Sequence, residues 1–191
     1  KNFFLNKRVL VTGAGGSIGS ELAKSIYQNH PETIILLDNS ENNLHEIELE
    51  LKNYALDGEV IGYLCDITDQ IQMEKIFQKH KPHVVYHAAA CKQVPFVELH
   101  YAQAILNNVV GTKVAADLAV KYKADCFMLI STDKAIRPRS IMGTTKRIAE
   151  LYIHSLKESG TRFLAVRFGN VFNSRGSVVP LFKKQIEQGG P

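Results

Sequence analysis

The residues best suited to chemistry are Thr132, Asp133 and Lys134, which lie at the end of an apolar stretch that begins at Cys126. A hydroxyl, a carboxylate and an amine in consecutive positions can offer one substrate a hydrogen-bond donor, an acid and a base. A further amine, Lys146, follows on the next helical stretch. The alternative interpretation of Asp133-Lys134 is a solvated turn with an exposed ion pair. The pattern favours acid–base chemistry, because the pair follows a strand of a ligand-binding type of sheet.

A second chemical pattern is the glycine-rich stretch TGAGGSIG at 12–19, in which Gly13, Gly16 and Gly19 recur at every third position. The backbone N–H groups of such a turn can approach a pyrophosphate at a helix N-terminus. Asp38, about 20 residues further on, can bind ribose hydroxyls and would repel a 2′-phosphate, which favours NAD over NADP. The alternatives are a tight strand–helix connection for the glycines and a helix N-cap for Asp38.

The elements that must position these residues alternate between short apolar runs and longer amphipathic stretches. The apolar runs predict six strands: Arg8 to Thr12, Thr33 to Asp38, Val60 to Leu64, His83 to His87, Cys126 to Ser131 and Phe163 to Phe168. Helical spacing of apolar residues predicts six helices: Ser17 to Asn29, Glu41 to Ala55, Gln70 to Lys79, Tyr101 to Lys121, Ser140 to Ser159 and Val178 to Gln188. This alternation predicts an α/β, Rossmann-like, doubly wound parallel sheet of order 3-2-1-4-5-6, with ligands at the carboxyl ends of the strands.

Length and composition exclude several other classes of protein. The chain has 191 residues, of which 45% are hydrophobic and 22% charged, and a formal net charge of +4. These values are typical of soluble globular proteins, and the mild, dispersed charge argues against nucleic-acid binding. The three cysteines form no CxxC pair and the histidines show no ligand spacing, so we expect no metal site. No stretch approaches the roughly 18 consecutive apolar residues of a membrane span.

Together the motifs resemble those of the short-chain dehydrogenase/reductase superfamily, with TGxxGxxG at 12–19 and Lys146 at the lysine position of YxxxK. The tyrosine position of that motif holds Met142, which cannot transfer a proton. In this respect the chain resembles the CapD-type polysaccharide-biosynthesis branch, nucleotide-sugar 4,6-dehydratases that act on UDP-N-acetylglucosamine. The segments that carry the resemblance are GAGGSIGSEL (13–22), HAAACKQVPFVE (87–98), STDKAIRPRSIMGTTKR (131–147) and VRFGNVFNSRGSVVPLF (166–182).

The resemblance assigns a cofactor site to the ends of the first four strands. It implies that Asp66 binds the adenine amino group and that Asn108, a poor helix former, stabilises the active-site end of its helix. An N-cap for Asp66 and simple small-residue packing for the alanines after His87 are the structural alternatives. The implied NAD-binding residues are Gly13, Gly15, Gly16, Ser17, Ile18, Gly19, Asp38, Asn39, Ser40, Asp66, Ile67, Ala88, Ala89, Ala90, Asn108 and Lys146.

The same resemblance implies a mechanism in which a hydride passes from sugar C4 to NAD and later returns to C6. Lys134, as a neutral amine, would remove the C5 proton, and Asp133, with a raised pKa, would protonate the departing C6 hydroxyl. Thr132 would hydrogen-bond the C4 oxygen. Without a tyrosine, either Thr132 with a water or Lys146 would take the C4 hydroxyl proton. The implied catalytic set is Thr132, Asp133, Lys134, Lys146 and the Met142 position.

The sugar nucleotide would be bound mainly by residues near the end of the chain. Arg175 suits a bidentate contact with a diphosphate. Phe182 could pack near the uracil or belong to the core, whereas Lys92 and Glu98 either face the active site or are solvated loop charges. The implied substrate-binding residues are Lys92, Glu98, Asn170, Ser174, Arg175, Ser177 and Phe182.

These assignments divide the chain into an NAD-binding domain at 1–170 and the start of a nucleotide-sugar-binding region at 171–191. The chain lacks an initiator Met and stops at Gly189-Gly190-Pro191, so we expect a truncated domain. The resemblance implies that it is the cytoplasmic domain of a bacterial protein anchored by N-terminal membrane helices. The superfamily pairs long helices between subunits, which is compatible with a homo-oligomer.

Two rival functions remain open at this point. The first is a UDP-sugar epimerase, against which Asp133-Lys134 argues because a C4 epimerase needs no acid–base pair at C5 and C6. The second is a non-catalytic NAD-binding regulatory domain. Met142 favours that second function. The residues that argue against it are the intact Thr132, Asp133, Lys134 and Lys146.

Overall fold

A computed structural model describes residues 2–171, 182 and 185–189. Its centre is a six-stranded parallel sheet of order β3-β2-β1-β4-β5-β6, which confirms the predicted Rossmann-like α/β fold and strand order. The strands are β1 (Arg8–Thr12), β2 (Thr33–Asp38), β3 (Glu59–Leu64), β4 (Val84–His87), β5 (Cys126–Thr132) and β6 (Arg162–Phe168).

Helices cover both faces of the sheet. They are α1 (Ser17–Tyr27), α2 (Glu41–Lys52), α3 (Gln70–His80), α4 (Val94–Leu99), α5 (Tyr101–Ile105), α6 (Thr112–Lys121) and α7 (Ile141–Ser155). Side chains alternate along β1, so that Leu10 packs into the apolar cluster on one face of the sheet and Val9 and Val11 into the cluster on the other. Burial on both faces explains why the central strands are continuous apolar runs.

Two parts of the chain differ from the predicted helices. The stretch Tyr101 to Lys121 is not one regular helix, because a π-helical segment, Leu106–Gly111, separates α5 from α6. The short helix α4 occupies a region for which the sequence pattern predicted no element, and Pro95 near its start suits the first helical turn. Most of the predicted helix from Val178 to Gln188 lies outside the described residues, although Phe182 and residues 185–187 are helical.

The parallel arrangement brings the carboxyl ends of all six strands to one edge of the sheet. None of the helices in the described part of the chain combines the length and apolar character that a bilayer crossing requires. Within the same residues, no group of three or more His, Cys, Asp or Glu side chains is arranged to hold a metal ion.

Candidate active site at the carboxyl edge of the sheet

The glycine-rich turn packs directly against the backbone that follows β4. Gly13 has a φ of +64°, and a Cβ there would come within 2.6 Å of the Ala89 nitrogen. A Cβ at Gly19 would come within 1.9 Å of the Gly13 oxygen. Helix α1 can therefore lie this close to the turn only because residue 19 has no side chain. Helix α1 begins after Gly16, which provides no side-chain cap, and its first turn has no acidic residue. This N-terminus therefore suits a bound anion.

Asp38, at the end of β2, is hydrogen-bonded to the glycine-rich turn. Its Oδ2 accepts the N–H of Gly15 at 2.9 Å, and its Oδ1 accepts the N–H of Ser40 at 2.9 Å. The N-cap of α2 is Ser40, whose hydroxyl accepts the N–H of Asn43. Asp38 is thus no helix cap; it places a carboxylate beside the turn.

Asp66 follows β3, and its carboxylate is organised by its own loop. Its Oδ1 accepts the N–H of Thr68 at 2.8 Å and the Thr68 hydroxyl at 2.7 Å. Burial opposes ionisation of Asp66, but these bonds and one from the Asn39 side chain outweigh it and lower its pKa. The N-cap of α3 is Asp69 rather than Asp66. Ile67 packs under the π-helical segment, since a Cβ at Gly111 would come within 2.4 Å of it.

A buried histidine that the sequence analysis did not assign joins β1 and β4 to the helix above them. The Nδ1 of His87 lies 2.8 Å from the Thr12 hydroxyl, and its Nε2 lies 3.0 Å from the Thr112 hydroxyl. Thr112 donates its only hydroxyl proton to the Asn108 carbonyl at 2.7 Å. The His87 Nε2 must therefore carry the proton, and Nδ1 accepts from Thr12. Burial, assisted by the nearby Lys146, lowers the pKa of His87 to about 3.

Asn108 connects the loop after β4 to α7, and its side chain is buried. Its amide accepts the N–H of Cys91 at 2.8 Å and donates to the Cys91 carbonyl at 3.0 Å and to the Thr145 hydroxyl at 3.0 Å. Asn108 lies in the π-helical segment, and such segments are frequent at functional sites. Asn108 thus joins the loop after β4 to α7, and its role in stabilising the active-site end of its helix stays a prediction.

Lys146, on α7, reaches the end of β5 from inside the protein. Only 6% of the residue is exposed, and its Nζ donates to the Ile130 carbonyl at 2.7 Å. Burial lowers the pKa of Lys146 to about 8, although Glu150 and Cys91 oppose this shift. Lys146 can therefore exchange a proton near neutral pH.

Met142, at the tyrosine position of the superfamily motif, is part of an apolar cluster. It is 4% exposed and packs with Val97 of α4 and Ala104 of α5. The side chain at this position therefore joins α4 and α5 to α7, and it offers no group for proton transfer.

Thr132, Asp133 and Lys134 form a hydrogen-bonded group where β5 ends. The Thr132 hydroxyl donates to Asp133 Oδ1 at 2.9 Å, and Lys134 Nζ lies 3.2 Å from the same oxygen. Lys134 Nζ also donates to Asn170 Oδ1, at 3.2 Å, across to the end of β6. The bonds from Thr132 and Lys134 lower the pKa of Asp133. This corrects the raised pKa that the general-acid role led us to expect: these donors stabilise the carboxylate.

The remaining predicted substrate residues are less closely grouped. Glu98 accepts the N–H of Ile141 at 2.8 Å, so its carboxylate satisfies the first turn of α7. Lys92 is exposed on the loop before α4. Phe182 is 55% exposed, and its packing near the uracil or in the core stays a prediction. Ser174, Arg175 and Ser177 lie outside the described residues.

Glu150 is a second buried titratable residue, after His87, that sequence reasoning missed. It lies one turn after Lys146 on α7, and its carboxylate accepts from Ser131 on β5 and Arg167 on β6. Burial opposes its ionisation, but the bonds from Arg167, Ser131 and Arg147 lower the pKa of Glu150 to about 2. The sequence does contain one sign of this residue: Glu150 lies four positions after Lys146, so both belong to the same face of α7.

These residues fit a dinucleotide. The close glycine–alanine contact leaves backbone rather than side chains beside the uncapped N-terminus of α1, which is where a pyrophosphate binds in this type of fold. The fixed carboxylates of Asp38 and Asp66 stand at the ends of the next two strands, as acceptors for hydroxyl and amino groups.

Comparisons with known proteins agree with this arrangement. Residues 9–191 match the family model described as polysaccharide biosynthesis protein. The chain is 50% identical over 189 residues to the capsular polysaccharide biosynthesis protein CapD of Staphylococcus aureus, covering 97% of this chain and 32% of that protein. The chain thus spans about a third of this curated relative's length.

Two solved structures share the fold. Pen from Bacillus thuringiensis has a TM-score of 0.90 and 33% identity, over 97% of this chain and 59% of its own. The UDP-glucose 4-epimerase of Thermotoga maritima, solved with UDP-glucose, has a TM-score of 0.82 and 26% identity, over 96% of this chain and 64% of its own. The family match and the CapD identity together confirm the resemblance seen in the motifs, and the chain belongs to the polysaccharide biosynthesis protein family.

Proposed function

We propose that this chain binds NAD and, as part of its protein, removes water from UDP-N-acetylglucosamine to give the 4-keto-6-deoxy sugar. The observation that carries the proposal is the position of Lys134. Its amine lies 3.2 Å from both the Asp133 carboxylate and the Asn170 side-chain oxygen, at the carboxyl ends of β5 and β6. An amine and a carboxylate side by side at this edge suit the removal of a proton and of a hydroxyl from adjacent carbons.

When bound, NAD would accept a hydride from sugar C4 and return it to C6. The C4 ketone acidifies the C5 proton, which Lys134 would remove. The C6–O bond then breaks, and Asp133 would supply the proton with which the hydroxyl leaves as water. After the hydride has returned to C6, Lys134 would give its proton back to C5. The proton released from the C4 hydroxyl would replace, through solvent, the one that Asp133 gave, so that one water is lost overall.

The lowered pKa of Asp133 is compatible with this role. A charged Lys134–Asp133 pair and a neutral amine beside a neutral acid hold the same number of protons. One proton shift along their 3.2 Å contact converts the first into the second. Exclusion of water by the bound sugar favours the neutral pair, because burial penalises charged forms. The pair would therefore become active when the substrate covers it.

The proton of the C4 hydroxyl needs a different acceptor from the usual tyrosine. The pKa of Lys146, lowered to about 8, supports this lysine as the acceptor, with the Thr132 hydroxyl holding the C4 oxygen. The sugar nucleotide would extend from Lys92 past Asn170 to the predicted contacts in 171–191, which would begin the substrate-binding region after an NAD-binding domain at 1–170.

The test is mass spectrometry of UDP-N-acetylglucosamine after incubation with NAD and the protein in heavy water. We expect the loss of one water and the incorporation of deuterium at C5. Lys134→Ala should abolish both while NAD still binds, whereas Lys75→Ala, which removes an exposed lysine on α3, should change neither. No water loss, with both ligands shown to bind, would contradict the proposal.

An epimerase is the second candidate, and the likeness to a UDP-glucose 4-epimerase favours it. A C5 epimerase would incorporate deuterium at C5 without losing water. A C4 epimerase would change the sugar's configuration without incorporating deuterium at C5. A protein that binds NAD and leaves UDP-sugars unchanged would instead be a regulatory NAD-binding module.

A further inference from the structure

Glu150 forms a saturated hydrogen-bond network beneath the proposed acid–base pair. Its Oε1 accepts from Ser131 Oγ at 2.6 Å and Arg167 Nε at 2.8 Å. Its Oε2 accepts from Arg167 Nη2 at 2.6 Å and Arg147 Nη1 at 3.1 Å. Glu150 is 6% exposed, whereas the Arg167 side chain that it pairs with is 37% exposed. Bidentate arginine–carboxylate bonds of this kind add geometric specificity.

This network lies one residue before the strand ends that carry the chemistry. Ser131 and Arg167 are register partners on β5 and β6, and the next pair is Thr132 with Phe168. Above it, Lys134 bonds to Asn170 and again links the two strand ends. Glu150 itself lies on α7, four positions after Lys146. One carboxylate thus joins β5, β6 and the helix that carries Lys146.

We propose that Glu150 is a positioning residue. It holds the ends of β5 and β6 in fixed positions relative to α7, so that Thr132, Lys134 and Lys146 can contact the same sugar. The part of this inference that concerns kcat rests on the proposed function, because it requires a measurable reaction. Glu150 contacts no reacting atom and acts through Ser131 and Arg167. A misplacement of about 1 Å by a residue away from the chemistry can cost roughly 100-fold in rate.

The charge of Glu150 also acts on Lys146. The ionisable groups around Lys146 are Glu150 on the same helix, Cys91 in the loop after β4 and His87 at the end of β4. Burial lowers the pKa of Lys146, and the negative charge of Glu150 is the largest opposing effect. Loss of that charge should lower the pKa of Lys146 further. A residue that only stabilised the fold would not have to change this titration.

The experiment compares Glu150→Gln with Glu158→Gln, a matched change at an exposed glutamate beyond the end of α7. Per folded molecule, Glu150→Gln should reduce kcat by roughly 10- to 100-fold with little change in KM. The titration of Lys146, followed by NMR of its Nζ and assigned with Lys146→Arg, should move to lower pH. Glu158→Gln should leave both at the wild-type values.

Two further variants separate alignment from charge. Glu150→Asp keeps the charge and should restore the Lys146 titration in large part, while kcat stays low because the shorter side chain cannot span both strands. Ser131→Ala should lower kcat without moving the titration, and it decides the question if Glu150→Gln does not fold. Wild-type kcat in Ser131→Ala and Glu150→Gln, together with an unmoved Lys146 titration in Glu150→Gln, would overturn the inference. If the wild-type protein loses no water from any UDP-sugar, the proposed function fails, and the Lys146 titration still tests the influence of Glu150.

Discussion

The carboxylate of Asp38 accepts the backbone N–H of Gly15 across a distance of 2.9 Å. This bond ties the acid at the end of β2 to the glycine-rich turn after β1. A ligand that uses both groups meets them already in place, so little ordering remains to be done on binding.

The first prediction concerns the choice between NAD and NADP. Asp38→Asn removes the negative charge of the side chain. It also places an NH₂ group, which is a donor, against the donor N–H of Gly15 or Ser40. We expect NAD binding to weaken by roughly 10- to 100-fold, which corresponds to hydrogen bonds to a charged group of about 1.5–3 kcal/mol. NADP binding should weaken less, because the repulsion of its 2′-phosphate is also removed.

Isothermal titration calorimetry with both cofactors measures this ratio. Asp57→Asn, an exposed change between α2 and β3, is the matched control. An unchanged preference for NAD in Asp38→Asn would show that another group makes the choice.

The second prediction separates the roles of Asp133 and Lys134. In Asp133→Asn, Lys134 has no carboxylate to take up its proton and must lose that proton to water before the sugar covers it. It can then still remove the C5 proton, but no acid protonates the C6 hydroxyl. The variant should therefore exchange C5 hydrogen for deuterium while losing water at least 100-fold more slowly, within the roughly 100- to 10,000-fold contribution of a general acid. Mass spectrometry of substrate and product in heavy water distinguishes the two events. Normal water loss in Asp133→Asn would exclude Asp133 as the acid.

Much of this arrangement could be predicted from the sequence, because parallel strands bring their carboxyl ends together. The apolar runs define β1 to β6, and the residues after each run, such as Asp38, Asp66 and Asp133, therefore meet at one edge. Their roles remain predictions, but their common position follows from local patterns alone.

The parts that could not be predicted depend on contacts between distant residues. His87 and Glu150 look like ordinary members of a strand and a helix, and only folding reveals that each joins three elements. The π-helical segment Leu106–Gly111 is too short to leave its own period of apolar residues in the sequence. The stretch therefore looks like part of a continuous α-helix. The lowered pKa of Asp133 likewise follows from donors whose side-chain geometry the sequence does not specify.

The third prediction concerns Met142. Met142→Tyr adds a ring and a hydroxyl to a packed cluster with Val97 and Ala104. Overpacking should lower the free energy of unfolding by about 1–3 kcal/mol. It should not introduce alcohol dehydrogenase chemistry, because the position contacts α4 and α5 rather than the open site. Met142→Leu, which nearly conserves volume, should cost less than about 1.5 kcal/mol.

Urea denaturation of both variants measures these costs, and cofactor reduction with a simple alcohol tests for new chemistry. If Met142→Tyr were as stable as Met142→Leu and oxidised such alcohols, the side chain at this position would have to reach the cofactor.

The last prediction follows from the neutral state of His87. Its pKa of about 3 in the folded protein lies below the ordinary value of 6.5, so the unfolded chain binds more protons between these values. The stability that this buried ring contributes is therefore present above pH 6.5 and is lost as pH falls towards 3. The loss amounts to up to about 5 kcal/mol, at 1.36 kcal/mol per pKa unit.

Urea denaturation between pH 5 and 6.5 tests this range, since the titration of Glu150, with a pKa of about 2 against an ordinary 4.5, lies below it. His87→Gln should lower stability at neutral pH, because one amide cannot reproduce both bonds of the ring to Thr12 and Thr112. It should also flatten the slope of stability against pH in this window. His45→Gln, an exposed change on α2, should keep the wild-type slope. An unchanged slope in His87→Gln would mean that the ring is protonated in the folded protein, and the hydrogen-bond directions deduced from Thr112 would then be wrong.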